Sequence, residues 1–548
     1  MINDIDRINV SFDYIIVGTG PAGCVLAKEL SENGRNTVLL LEAGENNDND
    51  ILIRDSTANL NLHRPEYFWQ GETVPQINAN RKIFDWSTGR LSGGGSSING
   101  EQFVRPSQYV LTEWESIAGP MWGPAAATRN FAMIENFNGK ANNPEAHGFT
   151  GRLDIKQTPE SVPVMTKKLV SAIEQGTGYK TILDYNDPNT PIGPFSRWQL
   201  TQKPNGERES ASTAFLSQDV ANNIGYGLNG RKLIIYYKTT ALRILFNTNR
   251  DAVGIEFLKE GKCRIARALK KVIISAGINS TQLLMLSGIG PNEYLSKLNI
   301  PVIFNNPNVG QNLVNHTINA TVFNVNPADI QEVLMEPDAL YTGGAFLPSP
   351  NEINTNKRSI QLIGTYSNGA LVILIVLLSP KSRGNIILQN NDPLKIVLAN
   401  YNFLENSQDL ELIKSVYKIY IKSIASALSA IDPKYQLVSP SMDIIDNDAL
   451  LEQFIKDNLN DTHHQQSSLK MAPYNRGGVV DYLGRVYGVN NLIVADCSII
   501  PSTTDGNTQS AAYLIGYTIA KQLLAEDQVR FVPQPYPNYP YYYGGYYR

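Results

Sequence analysis

The stretch DYIIVGTGPAGCVLAKELSENGRNTVLLLEAG, residues 13–44, decides the fold. Residues 13–17 form a short, largely apolar run rich in β-branched side chains, the pattern of a buried parallel strand. Gly18, Gly20 and Gly23 follow with G-x-G-x-x-G spacing. In such a turn the first glycine permits the bend and the second lets the backbone approach a pyrophosphate. The third lets the next helix pack closely on the strand. That helix presents unpaired N–H groups and the positive end of its dipole to phosphate. Residues 37–41 read as a second strand. Glu42 ends it, about 20 residues past the glycines, where a carboxylate accepts bonds from a ribose hydroxyl pair. Strand, glycine turn, helix, strand and acid together predict a βαβ unit that binds a dinucleotide. They leave open which dinucleotide, and what chemistry follows.

The chain has 548 residues, too many for one compact core, so two or more domains are expected. A formal net charge of -4 gives no basic footprint for nucleic acid. Cys24, Cys263 and Cys497 are widely separated, as suits buried or free thiols and not a disulfide framework or a metal site. The opening MINDIDRINVSFD lacks the basic and apolar regions of a signal peptide. The longest apolar run, 370–378, is shorter than the roughly 20 residues that span a bilayer and reads as a buried strand.

Features of the nucleotide-binding unit recur far along the chain. KLIIYY and ALRILF (within 232–246), KVIISA (271–276) and NLIVA (491–495, followed by Asp496) read as strands, and 511–524 as a helix. One dinucleotide domain is therefore expected from separate segments, 1–153, 205–318 and 483–530. The blocks 154–204 and 319–482 are expected to form a second domain, with strands at 385–388 and 395–398 and a helix over 409–428. The tail 531–548, rich in Pro, Tyr and Gly, reads as extended and poorly ordered, or as a surface that docks on a partner. A second glycine cluster, GRLSGGGSSING (89–100), can offer backbone N–H groups and hydroxyls to an anion, with the Asn99 amide beside them.

Taken in order, these segments resemble the glucose–methanol–choline (GMC) family of FAD-dependent oxidoreductases. GRLSGGGSSING and SAGINSTQLLMLSGIGP (275–291) resemble the two family signatures. IPVIFNNPNVGQNLVNH (300–316), SPKSRGNIILQNNDP (379–393) and GRVYGVNNLIVADCSIIPSTTDGNTQSA (484–511) resemble further family segments. The resemblance implies an α/β, Rossmann-like FAD domain and a second, substrate-binding domain built on an antiparallel sheet with helices. It implies FAD as cofactor and a CH–OH group as hydride donor. For FAD it implies Gly18, Gly20 and Gly23 at the pyrophosphate and Glu42 at the adenosine ribose. Ala241 then lies where a strand backbone meets adenine. Arg90, Gly94, Ser97, Asn99 and Gly100 line the flavin side. Asp496, Asn507 and Thr508 approach the ribityl chain and flavin.

The family's histidine segment reads here HHQQSSLKM (463–471), and register from Lys470 and Met471 places His464 on the catalytic histidine. Asn507 in GNTQ falls on the second catalytic position. The mechanism this implies is proton removal by a neutral His464, hydride transfer to flavin N5, and a hydrogen bond from Asn507 to the developing alkoxide. Electrons then pass to oxygen or a quinone-like acceptor. Gln465 and Ser467 replace the family's usual Pro and Gly, so the loop around His464 is expected to differ in shape. Thr281 stands where Pro is usual. Ile98 occupies the position at which some members link FAD through a histidine, which implies non-covalent FAD. His63 and His147 lie in loop-like sequence, and His316 is expected to support packing or a backbone bond. Two other functions stay open: an FAD-containing hydroxynitrile lyase, and a catalytically weak protein on the same scaffold. The Asn-rich composition is similar to that of giant-virus members, which implies a particle-associated enzyme.

Overall fold

The computed structural model describes residues 10–56, 64–335, 341–352 and 356–530. His63 and the Tyr-rich tail lie outside these residues.

The quoted stretch folds as read. The strand Val10–Val17 leads through the glycine turn into the helix Pro21–Ser31 and on to the strand Thr37–Leu41. Pro21 at the first helical position fixes a helical φ without losing a bonded N–H. The strands sit at the centre of a seven-stranded sheet. Its parallel core runs through Lys232–Tyr236, Thr37–Leu41, Val10–Val17, the C-terminal half of Lys262–Ile274, and Leu492–Val494. Thr239–Phe246, Ala252–Lys259 and the N-terminal half of Lys262–Ile274 continue it as an antiparallel meander. Ile15, Ile16, Val38, Leu39, Leu40, Val272, Ile273 and Ile274 have no exposed surface. Full burial of each such side chain contributes about 1.5–3 kcal/mol, which explains why these runs carry almost no polar residue. The helix Thr508–Arg530 packs on the opening helix. A β-carbon at Gly516 would stand 2.6 Å from Ala22 Cα, so the contact needs glycine there.

A second seven-stranded sheet is antiparallel. Its order is Leu437–Ser439, Thr317–Asn324, Ala370–Leu377, Ile360–Ser367, Gly344–Leu347 and Gly193–Phe195, with Asn460–Asp461 also paired to Thr317–Asn324. The apolar run at 370–378 is its central strand. The chain is thus a mixed α/β protein with a Rossmann-like sheet and an antiparallel sheet. No helix among the described residues is long and apolar enough to cross a membrane.

Two expectations change in detail. The strand read at 395–398 begins later, as Leu398–Asn400. Asp392 accepts bonds from Leu394 N through its side chain and from Lys395 N through its carbonyl, and so holds 392–395 in a turn. The helix read over 409–428 is broken into Ser407–Ser415 and Lys422–Ile431 by a π-helical stretch, Val416–Ile421. The wider turn buries Val416, Tyr417, Tyr420 and Ile421 together, and Tyr417 donates to Ala320 O of the second sheet at 3.1 Å.

Candidate active site

A cavity of about 650 Å³ runs between the two sheets. Glu42 and Ala241 line one end and His464 and Asn507 the other, with both glycine loops between them.

At the first end, Gly18 has φ +99°, and a β-carbon there would stand 2.5 Å from Ser275 O. Only glycine fits. Gly20 differs. Its β-carbon would meet protein no nearer than 3.9 Å, so the space above it belongs to the cavity. Gly20 also caps the opening helix with no side-chain bond, which leaves the first-turn N–H groups for a ligand. Gly94, from the second loop, stands against Gly20, where a β-carbon would lie 2.8 Å from Gly20 Cα. Glu42 is buried and lines the cavity. It accepts bonds from Thr19 N (3.0 Å) and Gly44 N (2.8 Å). Burial pushes its carboxyl above the usual range, and these donors oppose the shift. Asp496, also on the wall, accepts from Gly277 N, Ser280 Oγ and Ser498 N and so anchors the turn into the helix Ile278–Leu286.

Gly94, Asn99, Gly100, Ala241, Asp496 and Thr508 all line the cavity. Gly23, Arg90 and Ser97 are not among its lining residues. A β-carbon at Gly23 would stand 2.0 Å from Gly18 O, so Gly23 serves the close approach of helix and turn. Arg90 lies over the Trp69 ring at 4.8 Å. Ser97 is buried behind the loop and donates to Ser92 O at 2.6 Å. Arg208 escaped the sequence reading. It is buried, donates to Ser96 O and Asn99 Oδ1, and pairs with Glu101, so it holds the second glycine loop. Nothing in its local sequence marks it.

At the other end, His464 Nε2 and Asn507 Nδ2 are 3.4 Å apart. Asn507 immediately precedes the long helix Thr508–Arg530. His464 lies on a loop bracketed by two residues of positive φ, His463 (58°) and Ser467 (69°). Ser467 thus takes the left-handed conformation that glycine adopts freely. Its Oγ donates to Ser502 O at 3.0 Å. Thr281, in the helix Ile278–Leu286, bonds to Ser468 of the same loop at 2.8 Å. Burial, then the neighbouring His316 and His463, hold the His464 imidazole well below its ordinary pKa. His316 makes the expected backbone contact, to Thr504 O at 3.1 Å, and also meets His464 Nδ1 at 3.0 Å. Among the described residues no group of three or more His, Cys, Asp or Glu is placed to hold a metal ion.

The residues fit a dinucleotide. The uncapped helix and the open space above Gly20 suit a pyrophosphate, and a β-carbon at Gly95 or Gly277 would meet no protein atom within 4 Å. Four cavity residues, Asn279, Gln361, Asn507 and Gln509, each carry a side-chain oxygen with no protein partner. A Rossmann-like sheet, a dinucleotide cradle and a neutral histidine at the far end of one cavity define an oxidoreductase site.

Comparison with known proteins agrees. Two GMC oxidoreductase family models match residues 12–318 and 380–516. The chain belongs to the GMC oxidoreductase family. It is 29% identical over 533 residues to an uncharacterized GMC-type oxidoreductase of Mycobacterium tuberculosis, covering 92% of this chain and 97% of that protein. It is 29% identical to an oxygen-dependent choline dehydrogenase of Vibrio vulnificus, covering 94% of each. Among solved structures, pyridoxine 4-oxidase from "Mesorbium loti" superposes with a TM-score of 0.82 at 24% identity, covering 94% of this chain and 99% of that one. A fungal aryl-alcohol oxidase superposes at 0.83 with 19% identity, covering 95% and 100%. Nothing in these relatives or in the described residues supports association with a virus particle.

Proposed function

We propose that the chain oxidises the CH–OH group of a small alcohol to an aldehyde or ketone with non-covalent FAD. FAD, when bound, supplies the two-electron acceptor, and oxygen or a quinone-like molecule then takes the electrons. Glu42 holds the adenosine ribose. Gly18, Gly20 and the helix Pro21–Ser31 receive the pyrophosphate. Ile98, on the cavity wall, has no nucleophile with which to form a covalent link. The segments 1–153, 205–318 and 483–530 form the FAD domain, and 154–204 and 319–482 the substrate domain.

The observation that carries this reading is the pairing of His464 Nε2 with Asn507 Nδ2 at the cavity end. A hydroxyl both donates and accepts a hydrogen bond. Placed between these two groups, it donates to His464 and accepts from Asn507. As C–H cleavage begins, the proton passes to His464 Nε2, and the Asn507 N–H steadies charge growing on oxygen. A depressed pKa keeps His464 neutral at pH 7, ready to accept. Names among the relatives (choline dehydrogenase, aryl-alcohol oxidase) support an alcohol donor and leave its identity open.

The test is anaerobic mixing of the yellow purified protein with benzylic alcohols, choline and sugars. Bleaching of the flavin by at least one alcohol is expected. A flavin that stays oxidised with all of them contradicts the proposal. Acid precipitation should leave the yellow colour in solution, and colour retained in the pellet contradicts non-covalent binding.

A further inference from the structure

His316 stands directly before the strand Thr317–Asn324 and is wholly buried. Its two ring nitrogens face different partners. Nε2 lies 3.1 Å from the Thr504 carbonyl oxygen, and Nδ1 lies 3.0 Å from His464 Nδ1. The rings meet edge to face, with centroids 5.2 Å apart and planes at 90°. Thr503 Oγ1 (3.4 Å) and the Gln466 amide (3.5 Å) lie farther from Nε2, and the Leu378 backbone also bonds the ring. The nearest partner of Nε2, the Thr504 carbonyl, only accepts, so Nε2 of His316 carries the proton. A neutral imidazole protonated at one nitrogen has its lone pair on the other, so Nδ1 of His316 accepts. The proton between the rings therefore belongs to Nδ1 of His464. The lone pair of His464 is left on Nε2, the nitrogen beside Asn507. No carboxylate is hydrogen-bonded to either ring among the described residues, and burial lowers the His316 pKa to about 4, so that ring stays neutral.

We propose that His316 is a positioning residue that fixes His464 in the Nδ1–H tautomer, with the Nε2 lone pair turned toward the substrate hydroxyl. Its catalytic consequence rests on His464 being the base of the proposed reaction. The tautomer itself does not. When the substrate O–H bond breaks and Nε2–H forms, the Nδ1–H bond to His316 becomes charge-assisted and stronger. His316 then steadies the imidazolium without moving a proton of its own. A His464 released from this partner is free to carry its neutral proton on either nitrogen, and only one arrangement can take the hydroxyl proton.

The test is nitrogen-15 NMR of the holoenzyme labelled in its five histidines, with His464 assigned by its loss in His464→Ala. The wild type is expected to show His464 protonated on Nδ1. Anaerobic flavin reduction should fall on the order of 100-fold in His316→Leu and His316→Gln, because neither places an acceptor where Nδ1 was. His316→Asn, whose Oδ1 takes that place, should recover to within roughly fivefold of wild type. A wild-type His464 protonated on Nε2 overturns the proposal whatever the activity, and needs no variant to fold. An undiminished rate in His316→Gln overturns the positioning role while His464 remains the base. An unchanged rate in His464→Ala overturns the base, and with it the catalytic consequence of His316, yet leaves the tautomer assignment standing.

Discussion

His147 and His316 are both buried, yet their surroundings drive their protons in opposite directions. His147 lies between two carboxylates, with Nδ1 2.9 Å from Glu135 Oε1 and Nε2 2.7 Å from Asp184 Oδ2. Both nitrogens face acceptors, so both carry protons and the ring is cationic. Its pKa is raised because these carboxylate bonds outweigh burial. Arg105 pairs with the same Glu135, so the cluster holds two cations and two anions. The ring stacks on Phe137 at 3.9 Å, well inside the protein. The nearest partners of His316 are a carbonyl and another imidazole, with only neutral groups (Thr503, Gln466 and the Leu378 backbone) beyond them, and burial keeps it neutral. The difference shows that partners, and not burial alone, set the charge of an interior histidine. One arrangement locks the scaffold and the other leaves a lone pair available for chemistry.

Removing the charge partner tests the first half of this contrast and carries the largest expected effect. Glu135→Gln leaves Arg105 and His147 short of a buried counter-charge, which should cost about 3–5 kcal/mol of stability. Chemical denaturation measures it, and a loss below about 1 kcal/mol would mean that His147 is not held charged.

The two sites should also respond to pH in opposite senses. The raised pKa of His147 gives stability that is complete below the unfolded value of 6.5 and is lost as pH rises through the folded value. The depressed pKa of His316 gives stability present above 6.5 and lost as pH falls toward about 4, worth about 3 kcal/mol if fully expressed. Denaturation midpoints between pH 4 and 7 should therefore fall with acid in the wild type and fall less in His316→Asn. Equal slopes would place the acid sensitivity elsewhere. By the same logic kcat/KM should stay level as pH drops through 6.5, because His464 remains neutral there. A decline centred at 6.5 would show an imidazole with ordinary solvation.

The smallest effect concerns the loops. The His464 loop carries Ser467 at φ 69°. Ser467→Gly relieves roughly 1–2 kcal/mol of left-handed strain but loses the bond to Ser502 O, worth about 1 kcal/mol. Stability should change by less than about 1 kcal/mol, with flavin reduction unaltered. A larger change would mean that the loop repacks.

The glycine turn was legible because backbone geometry dictates its residues. Gly18 must adopt φ +99° against Ser275 O, and no other residue does so without strain. The strands were legible because buried parallel pairing demands unbroken apolar runs. Motif spacing is less informative about which loop residues face a ligand and which pack behind it: Ser97, in the second glycine loop, donates to Ser92 O. His464 and Asn507 were reached through family resemblance, since neither lies in a locally diagnostic pattern. His316 was read as structural because its role depends on a ring 148 residues away and on which nitrogen carries the proton. Arg208 was missed for a similar reason, because its partners come from residues 53, 96, 99 and 101.

The central claim is that a neutral His464 takes the proton of a substrate hydroxyl. Stopped-flow reduction of the bound flavin by an alcohol that bleaches it, in wild type and His464→Ala, tests this most directly. The variant should keep its FAD and reduce it at least ~100-fold more slowly. Equal rates in the two proteins, with equal flavin content, would contradict the account.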